Sequence, residues 1–393
     1  MNKSILNTEV QTFINKHLNS EINTLLLKGT AFDNVDTKTI CEQIEAKKRC
    51  KNKLPTWFNT PNIYYPHKLN IEQTSSEITA QYKAGLINGD NIIDLTGGFG
   101  VDGLYFSKQF KTVEHCEIDE KLSEIVTHNY AQLDVQNIKT IQGDGLAFLK
   151  KASKTYHWIY LDPSRRHDSK GKVFFLNDCL PNIPEHLELL FKHSKNILIK
   201  TSPLLDLSVG INELSHVKTI HVVAVNNEVK ELLWVLELGF NGTISIESVN
   251  IKKNDVEQFG FLYDNENNSA PKYHTPLAYL YEPNSAILKA GGFQSITNQI
   301  QVFKLHKHSH LYTSATLLDF PGRRFKVIHN IPYNKKEIKK HAIVKANIAT
   351  RNFPETVEQI RKKFNIKDGG TTYLFFTTDA DDRKRMLIAS KVD

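Results

Sequence analysis

Four carboxylates stand where chemistry could be done: Asp94, Glu117, Asp144 and Asp162 each close a short run that reads as a buried strand. The runs are Ile92-Ile93, Thr112–Cys116, Ile138–Gln142 and Trp158–Leu161. In an open parallel sheet, ligands collect outside the carboxyl ends of the strands, so acids at successive ends would line one pocket. Directly after Asp94 come Thr96, Gly97, Gly98 and Gly100 in the stretch NIIDLTGGFGVDG, residues 91–103, and then the helix-like Leu104-Tyr105-Phe106. Missing β-carbons let a ligand reach the backbone of such a turn, and the helix start offers free N–H groups. Gly98–Gly103 satisfies G-x-G-x-x-G, which would suit a dinucleotide pyrophosphate. Asp94 ahead of the glycines opposes that ligand, because a carboxylate repels phosphate and attracts a cation.

S-adenosylmethionine has a cationic amino-acid end, and with that cofactor each acid finds a task. Asp94 would face the ammonium, and Glu117 would accept from both ribose hydroxyls, since an ionised carboxylate accepts at two oxygens. Asp144, after Gly143, would accept from the adenine amino group. Asp162-Pro163 would open the acceptor side, with Asp162 orienting the acceptor and taking its proton while the proline fixes the backbone. Lys200, in Lys200-Thr201-Ser202-Pro203 at the end of a further strand, is the next wall of a substrate pocket.

These residues need a scaffold, and the chain spells one. Residues 1–85 carry helical spacing (Leu6, Val10, Phe13, Ile14; Ile22, Leu25, Leu26; Ile40, Ile44), and Ser75 or Ser76 could cap a helix over ITAQYKAGL, whose start would lie close to the ligand. A basic cluster, Lys47 to Lys53, runs into Leu54-Pro55-Thr56-Trp57-Phe58 and could grip nucleic acid or simply end a helix. From Asn91 strands alternate with helix-length segments through Asn196–Lys200, which predicts a parallel sheet covered on both faces. His221–Val225 and Leu232–Leu236 are joined only by residues 226–231, too short for a parallel crossover, so the terminal pair is expected to be an antiparallel hairpin. That layout opposes a dehydrogenase, whose sixth strand stays parallel. Short strands follow Gly242, with an asparagine-rich linker at Asp264–Ala270.

Length and composition set the frame. A chain of 393 residues implies two to four domains, and 40% hydrophobic with 24% charged residues is the balance of a soluble globular protein. No apolar run reaches membrane-spanning length, the N-terminus lacks a secretory core, and the four scattered cysteines form no C-x-x-C pair. A cytoplasmic protein without membrane or metal sites is expected. From Pro321 onward 17 Lys/Arg face 8 Asp/Glu, a net of +9; the whole chain carries +7, so residues 1–320 sum to −2. A basic terminal segment on a near-neutral body predicts attraction to a polyanion, most simply RNA.

The run DLTGGFGVDG, the acid Glu117, the pair Gly143-Asp144 and DPSRR at 162–166 resemble the class I S-adenosylmethionine-dependent methyltransferases. They look closest to the bacterial group with a THUMP-like C-terminal domain preceded by a small ferredoxin-like domain. Glu72–Glu77, Tyr281-Glu282-Pro283-Asn284 with Ala286–Ala290, and Arg351-Asn352-Phe353-Pro354 fit the same group. The resemblance implies a Rossmann-like α/β sheet of five parallel strands plus the antiparallel hairpin, with RNA as substrate. It implies an N-terminal helical region at 1–85, a methyltransferase domain at 86–264, a ferredoxin-like domain at 271–320 and a basic THUMP-like domain at 321–393. Thr96 replaces the usual first glycine of D-x-G-x-G-x-G. Ser164-Arg165-Arg166 replaces the proline and aromatic that stack a base amino group, and the arginines could hold a phosphate of the substrate instead. An NAD(P)-dependent oxidoreductase and a non-catalytic RNA-binding protein with a vestigial pocket are the alternative readings.

Overall fold

Capping residues and a proline divide the N-terminal helical spacing into α1 (Thr8–Lys16), α2 (Ile22–Lys28), α3 (Thr37–Lys53), α4 (Pro55–Asn59), α5 (Lys68–Gln73) and α6 (Glu77–Leu86) in a computed structural model that describes residues 1–165 and 175–392. The Asp36 side chain accepts from Thr39 N at 2.8 Å to start α3, and Pro55 opens α4 where its missing N–H costs nothing. Much of the α3 basic cluster serves the fold. Lys47 lies over the Phe58 ring, Arg49 pairs with Glu72, and Lys53 donates to the carbonyls of Ile71 and Glu72. Ser76, not Ser75, caps α6, accepting from Thr79 N at 3.2 Å.

The alternation that follows is β1 (Gly89–Asp94), α7 (Val101–Phe106), β2 (Phe110–Glu117), α8 (Glu120–Gln132), β3 (Ile138–Gln142), α9 (Gly145–Lys151), β4 (Tyr156–Leu161), α10 (Ile183–His193), β5 (Ser194–Thr201), α11 (Leu207–Glu213), β6 (Val217–Val225) and β7 (Glu228–Glu237). The chain divides into two units, Met1–Lys218 with Leu232–Asn241, and Thr219–Glu231 with Gly242–Asp393. In the first unit the strands lie in the order β3-β2-β1-β4-β5-β7. The first five are parallel, and β7 runs antiparallel to β5 with Leu198 opposite Val235. Ile92, Ile93, Ile159, Leu161 and Ile197–Ile199 are fully buried, the continuous apolar run of strands covered on both faces. The central position of β4, between β1 and β5, sets the site, because neighbours on both sides can reach its end.

In the second unit β8 (Ser245–Ile251) pairs in parallel with Thr219–Val225 of β6 and antiparallel with β9 (Val256–Leu262). The asparagine-rich stretch read as a linker is α12 (Tyr263–Asn268), held because Glu266 accepts from Gln294 N and Ser295 N at 2.7 and 2.8 Å. Then come β10 (Tyr279–Pro283), α13 (Ser285–Ala290), α14 (Ser295–Gln299), β11 (Phe303–His306), β12 (Ser309–Ser314), β13 (Gly322–Pro332), α15 (Lys335–Lys340), β14 (Lys345–Arg351), α16 (Val357–Phe364), β15 (Lys367–Thr378) and β16 (Lys384–Val392). These strands form one sheet, ordered β11-β12-β10-β13-β16-β15-β14. Alternation along β15 and β16 gives it a core on each face: Leu374, Phe376, Met386 and Ile388 on one, Phe375, Leu387 and Ala389 on the other. Glu282 in this sheet is buried and pairs with Arg323 and Arg351, while Asn284 caps α13 at Ile287 N.

Candidate functional site

The turn after β1 is stitched to both neighbouring strands: Leu95 N donates to Tyr160 O on β4 at 3.1 Å, and Gly97 N to Cys116 O on β2 at 2.8 Å. Gly97 is demanded by close approach, since a β-carbon there would lie 2.1 Å from the His115 ring. Gly98 is demanded by conformation, with φ +57°, and nothing but Thr96 O at 3.9 Å stands before its missing side chain. The turn therefore has a packed back at Gly97 and an open front at Gly98. Gly100, at the start of α7, is held from behind by the Tyr130 hydroxyl, which donates to its carbonyl at 2.9 Å.

Asp94 is 1% exposed, and its Oδ1 accepts from Thr96 N at 2.9 Å. Burial, with Asp102, Asp162 and Glu117 nearby, holds its carboxyl well above the usual carboxylate range against the lowering effect of that hydrogen bond. His115 beneath it is driven down by burial to about 4, so the ring is neutral at physiological pH. Glu117 spends one lone pair of each oxygen on the backbone, accepting from Gly98 N at 2.8 Å and Asp119 N at 2.7 Å, and burial raises its pKa. Asp144 is exposed and caps α9 through Oδ1, at 2.8 and 3.1 Å from Leu146 N and Ala147 N.

At the end of β4, Asp162 is held from two sides. Its backbone N–H donates to the Thr96 hydroxyl at 2.6 Å, and its carboxylate takes the Lys200 ammonium from β5. The Asp162 side chain keeps 30% exposure, so it faces solvent and Lys200 together. Pro163 is buried, and Ser164 is exposed on a two-residue pairing with Leu180. Arg166 and the side chain of Arg165 lie outside the described residues.

Asp102 and Lys83, to which the sequence assigned no role, form a buried pair at this edge. Asp102, two residues after Gly100, is buried, and its Oδ2 accepts from the Ser75 hydroxyl and the Tyr160 hydroxyl, each at 2.8 Å. Lys83 of α6, fully buried, lies 3.2 Å from Asp102 Oδ1. Burial pushes Asp102 up, yet Lys83, Lys200 and the two hydroxyls together hold it below the usual range, so it is ionised. Strand-end position announces the other acids; Asp102 sits inside a helix start, where only its closeness to the glycines hinted at a role. Ile118, beside Glu117, is 70% exposed and adds an apolar face to the same edge.

The second unit offers a crevice of ≈ 780 Å³ with a polar lining. Its groups answer one another: Asn250 and Asn284 donate to Glu257 at 2.8 and 3.0 Å, and Lys252 pairs with Glu257. The acids gathered at the strand ends of the first unit are the candidate set. Among the described residues no cluster of His, Cys, Asp or Glu could hold a metal ion, and no helix is long and apolar enough to cross a membrane.

Compared with known proteins, residues 322–391 match the "THUMP domain-like" family and residues 279–321 the "ferredoxin-like domain" family. A crystal structure of a "putative methyltransferase" from Porphyromonas gingivalis W83 is 31% identical, covers 100% of this chain and 99% of its own, and superposes with TM-score 0.91. Partial likenesses covering 41% of this chain include a "putative methyltransferase" from Streptococcus mutans in complex with SAH, at 12% identity, 97% of its own chain and TM-score 0.31. Another is TrmK from M. capricolum in complex with SAH, at 17% identity, 68% of its own chain and TM-score 0.33. None of the curated proteins matches the chain.

Proposed function

The chain belongs to the class I methyltransferase group that carries a small ferredoxin-like and a THUMP-like C-terminal domain, and from that premise we propose that it moves a methyl group from S-adenosylmethionine to a nucleotide of RNA. One observation carries the reading: the open front of Gly98, the Glu117 carboxylate bonded to Gly98 N, and the Asp162 amide bonded to Thr96 join cofactor turn and acceptor side at a single edge.

The residues fit the cofactor. Each Glu117 oxygen retains a lone pair for a ribose hydroxyl, and Ile118 supplies an apolar face for the adenine, whose amino group would meet Asp144. Asp94, with Thr96, Gly97 and Gly100, shapes the turn, and the cationic end of the ligand would favour its carboxyl in the ionised form against the effect of burial. Bound S-adenosylmethionine would supply a methyl group already activated on a sulfonium. The protein's part is position and a proton acceptor. Asp162 orients the acceptor and takes its proton at a carboxylate oxygen, while Lys200 steadies that carboxylate and, with Ser164, faces the substrate. Thermal-shift and calorimetric titrations with S-adenosylmethionine, S-adenosylhomocysteine and NADH test the cofactor. Stabilisation by NADH alone would replace the reading with the oxidoreductase. Mass spectrometry of RNA nucleosides from a deletion strain tests the substrate.

Asp94→Asn should separate binding from stability. The amide still accepts from Thr96 N, and it removes a buried ionisation. A carboxyl with a raised folded pKa binds its proton more tightly when folded, so its ionisation costs stability as pH rises past about 4 and on through the raised value. The variant is therefore expected to melt at or above the wild-type temperature at pH 8, with the difference vanishing below about pH 4. Its cofactor affinity should fall by roughly 10- to 100-fold, the scale of a lost charge-assisted interaction. Unchanged affinity by calorimetry would remove Asp94 from the cofactor site.

The RNA side rests on the basic segment. Lys336 and Lys339 of α15 are exposed, and exposed Lys345 and Lys367 stand directly opposite each other in the β14–β15 register. Like charges paired across strands repel, which an RNA phosphate would offset. Replacing these four lysines by glutamate in the full chain should weaken retention of total RNA. It should also flatten the salt dependence of log K by roughly 0.7–0.9 for each phosphate no longer neutralised. S-adenosylhomocysteine affinity should not change. An unaltered slope by fluorescence anisotropy would place RNA elsewhere.

A further inference from the structure

Thr96 occupies the position of a glycine in D-x-G-x-G-x-G, and its hydroxyl has a use that glycine could not supply. The Asp162 N–H donates to Thr96 Oγ1 at 2.6 Å, and Thr96 Oγ1 lies 3.4 Å from Asp94 Oδ1, to which the Thr96 amide also donates at 2.9 Å. A chain of polar contacts thus runs from the end of β4 through Thr96 to the end of β1. Asp162 N–H lies beyond the residues of β4 that pair with β5, the last being Leu161, and Pro163 after it has no N–H to share. On the far side Lys200 of β5 takes the Asp162 carboxylate. The main chain of Asp162 is gripped from the turn after β1 and its side chain from β5.

We infer that Thr96 is a positioning residue for Asp162, fixing the acceptor-side carboxylate relative to the cofactor turn through one side-chain hydrogen bond. The inference rests on reading Asp162 as the residue that meets the acceptor. A threonine here is then a working part, and Thr96→Gly, which restores the common glycine pattern, should impair the enzyme. Thr96→Val keeps the shape and removes the acceptor oxygen; Thr96→Ser keeps the oxygen.

Hydrogen exchange at the Asp162 amide, read by fragmentation mass spectrometry, needs no substrate. Thr96→Val should accelerate that exchange about tenfold, the scale of one lost hydrogen bond, while Thr96→Ser exchanges as the wild type does. Calorimetry should give all three forms the same S-adenosylhomocysteine affinity within about threefold. In transfer of tritiated methyl from S-adenosylmethionine to total RNA of a deletion strain, Thr96→Val should lower kcat with KM for S-adenosylmethionine held, and Thr96→Ser should restore it. Wild-type exchange at Asp162 in Thr96→Val would overturn the inference. So would a loss of S-adenosylhomocysteine affinity in Thr96→Val, which would make Thr96 a cofactor contact. A wild type that binds no S-adenosylhomocysteine would sink the cofactor reading instead, with the exchange result still deciding the role of Thr96.

Discussion

Asp162→Ala is expected to cut methyl transfer by about 10²- to 10⁴-fold while S-adenosylhomocysteine binds the variant as it binds the wild type. The two halves of that expectation come from separate residues. Cofactor binding is assigned to the β1 turn, Glu117 and Asp144, none of which depends on the Asp162 side chain. Asp162 itself remains tied to the turn by its amide, so truncating its side chain leaves the Thr96 bond in place. Asp162→Asn separates two ways of losing activity. An asparagine oxygen can still accept from Lys200, which keeps position but gives up proton acceptance. Equal loss in the two variants would identify proton transfer as the main contribution, and a milder loss in the asparagine form would identify orientation. The measurement is the rate of tritium transfer to total RNA of a deletion strain, at saturating S-adenosylmethionine. Near-normal turnover in Asp162→Ala would move the acceptor elsewhere, with Lys200-Thr201-Ser202-Pro203 next in line.

Lys83→Met should be among the most destabilising substitutions in the first unit. Lys83 is fully buried against Asp102, and removing one member of a buried pair leaves an uncompensated charge, at a cost of about 3–5 kcal/mol. That corresponds to a fall in melting temperature on the order of 10 °C for a body of this size. The pH dependence gives the cause away. In the wild type the folded pKa of Asp102 is depressed, so its contribution to stability is present above about pH 4 and is lost as pH falls through the folded value. In Lys83→Met the carboxyl loses its nearest cation and its pKa rises, so the deficit should be widest at neutral pH and narrow on acidification. Lys83→Met with Asp102→Asn should recover much of the loss, because the second change removes the stranded charge. A deficit independent of pH, with no recovery in the double variant, would show that Lys83 matters by packing alone.

What could be read from the sequence was what is local. An acid after an apolar run, glycines after the acid and a loop too short for a crossover are all written in adjacent residues, and the parallel strands with an antiparallel β7 follow from them. Contacts between distant residues left no such trace. The Thr96–Asp162 bond spans 66 positions, and Lys83, one lysine among many, gives no sign that it is fully buried. The α3 cluster of basic residues shows the same limit: its charge left a nucleic-acid grip and a plain helix end both open, and α3 ends at Lys53 before Pro55, with Arg49 and Lys53 engaged with α5. Composition cannot tell a solvated charge from one already answered, because the partner lies in another helix. Asparagines at 264–270 suggested a linker, and Tyr263–Asn268 is a helix in which Glu266 meets two backbone N–H groups from residues far along the chain.

The second unit's sheet also bears on ancestry. The border between the two matched segments falls at residues 321–322, yet Tyr279–Pro283 on one side pairs residue by residue with Lys326–Gly322 on the other. A recombination event at that border would hand a descendant a strand with a bare edge, the kind of surface that recruits other chains into aggregates. Lineages that split the segments would be selected against, so the two should be gained and lost together. A harmful change in β10 can then be compensated by one in β13, and the smallest piece of this region that evolution can trade is the whole sheet.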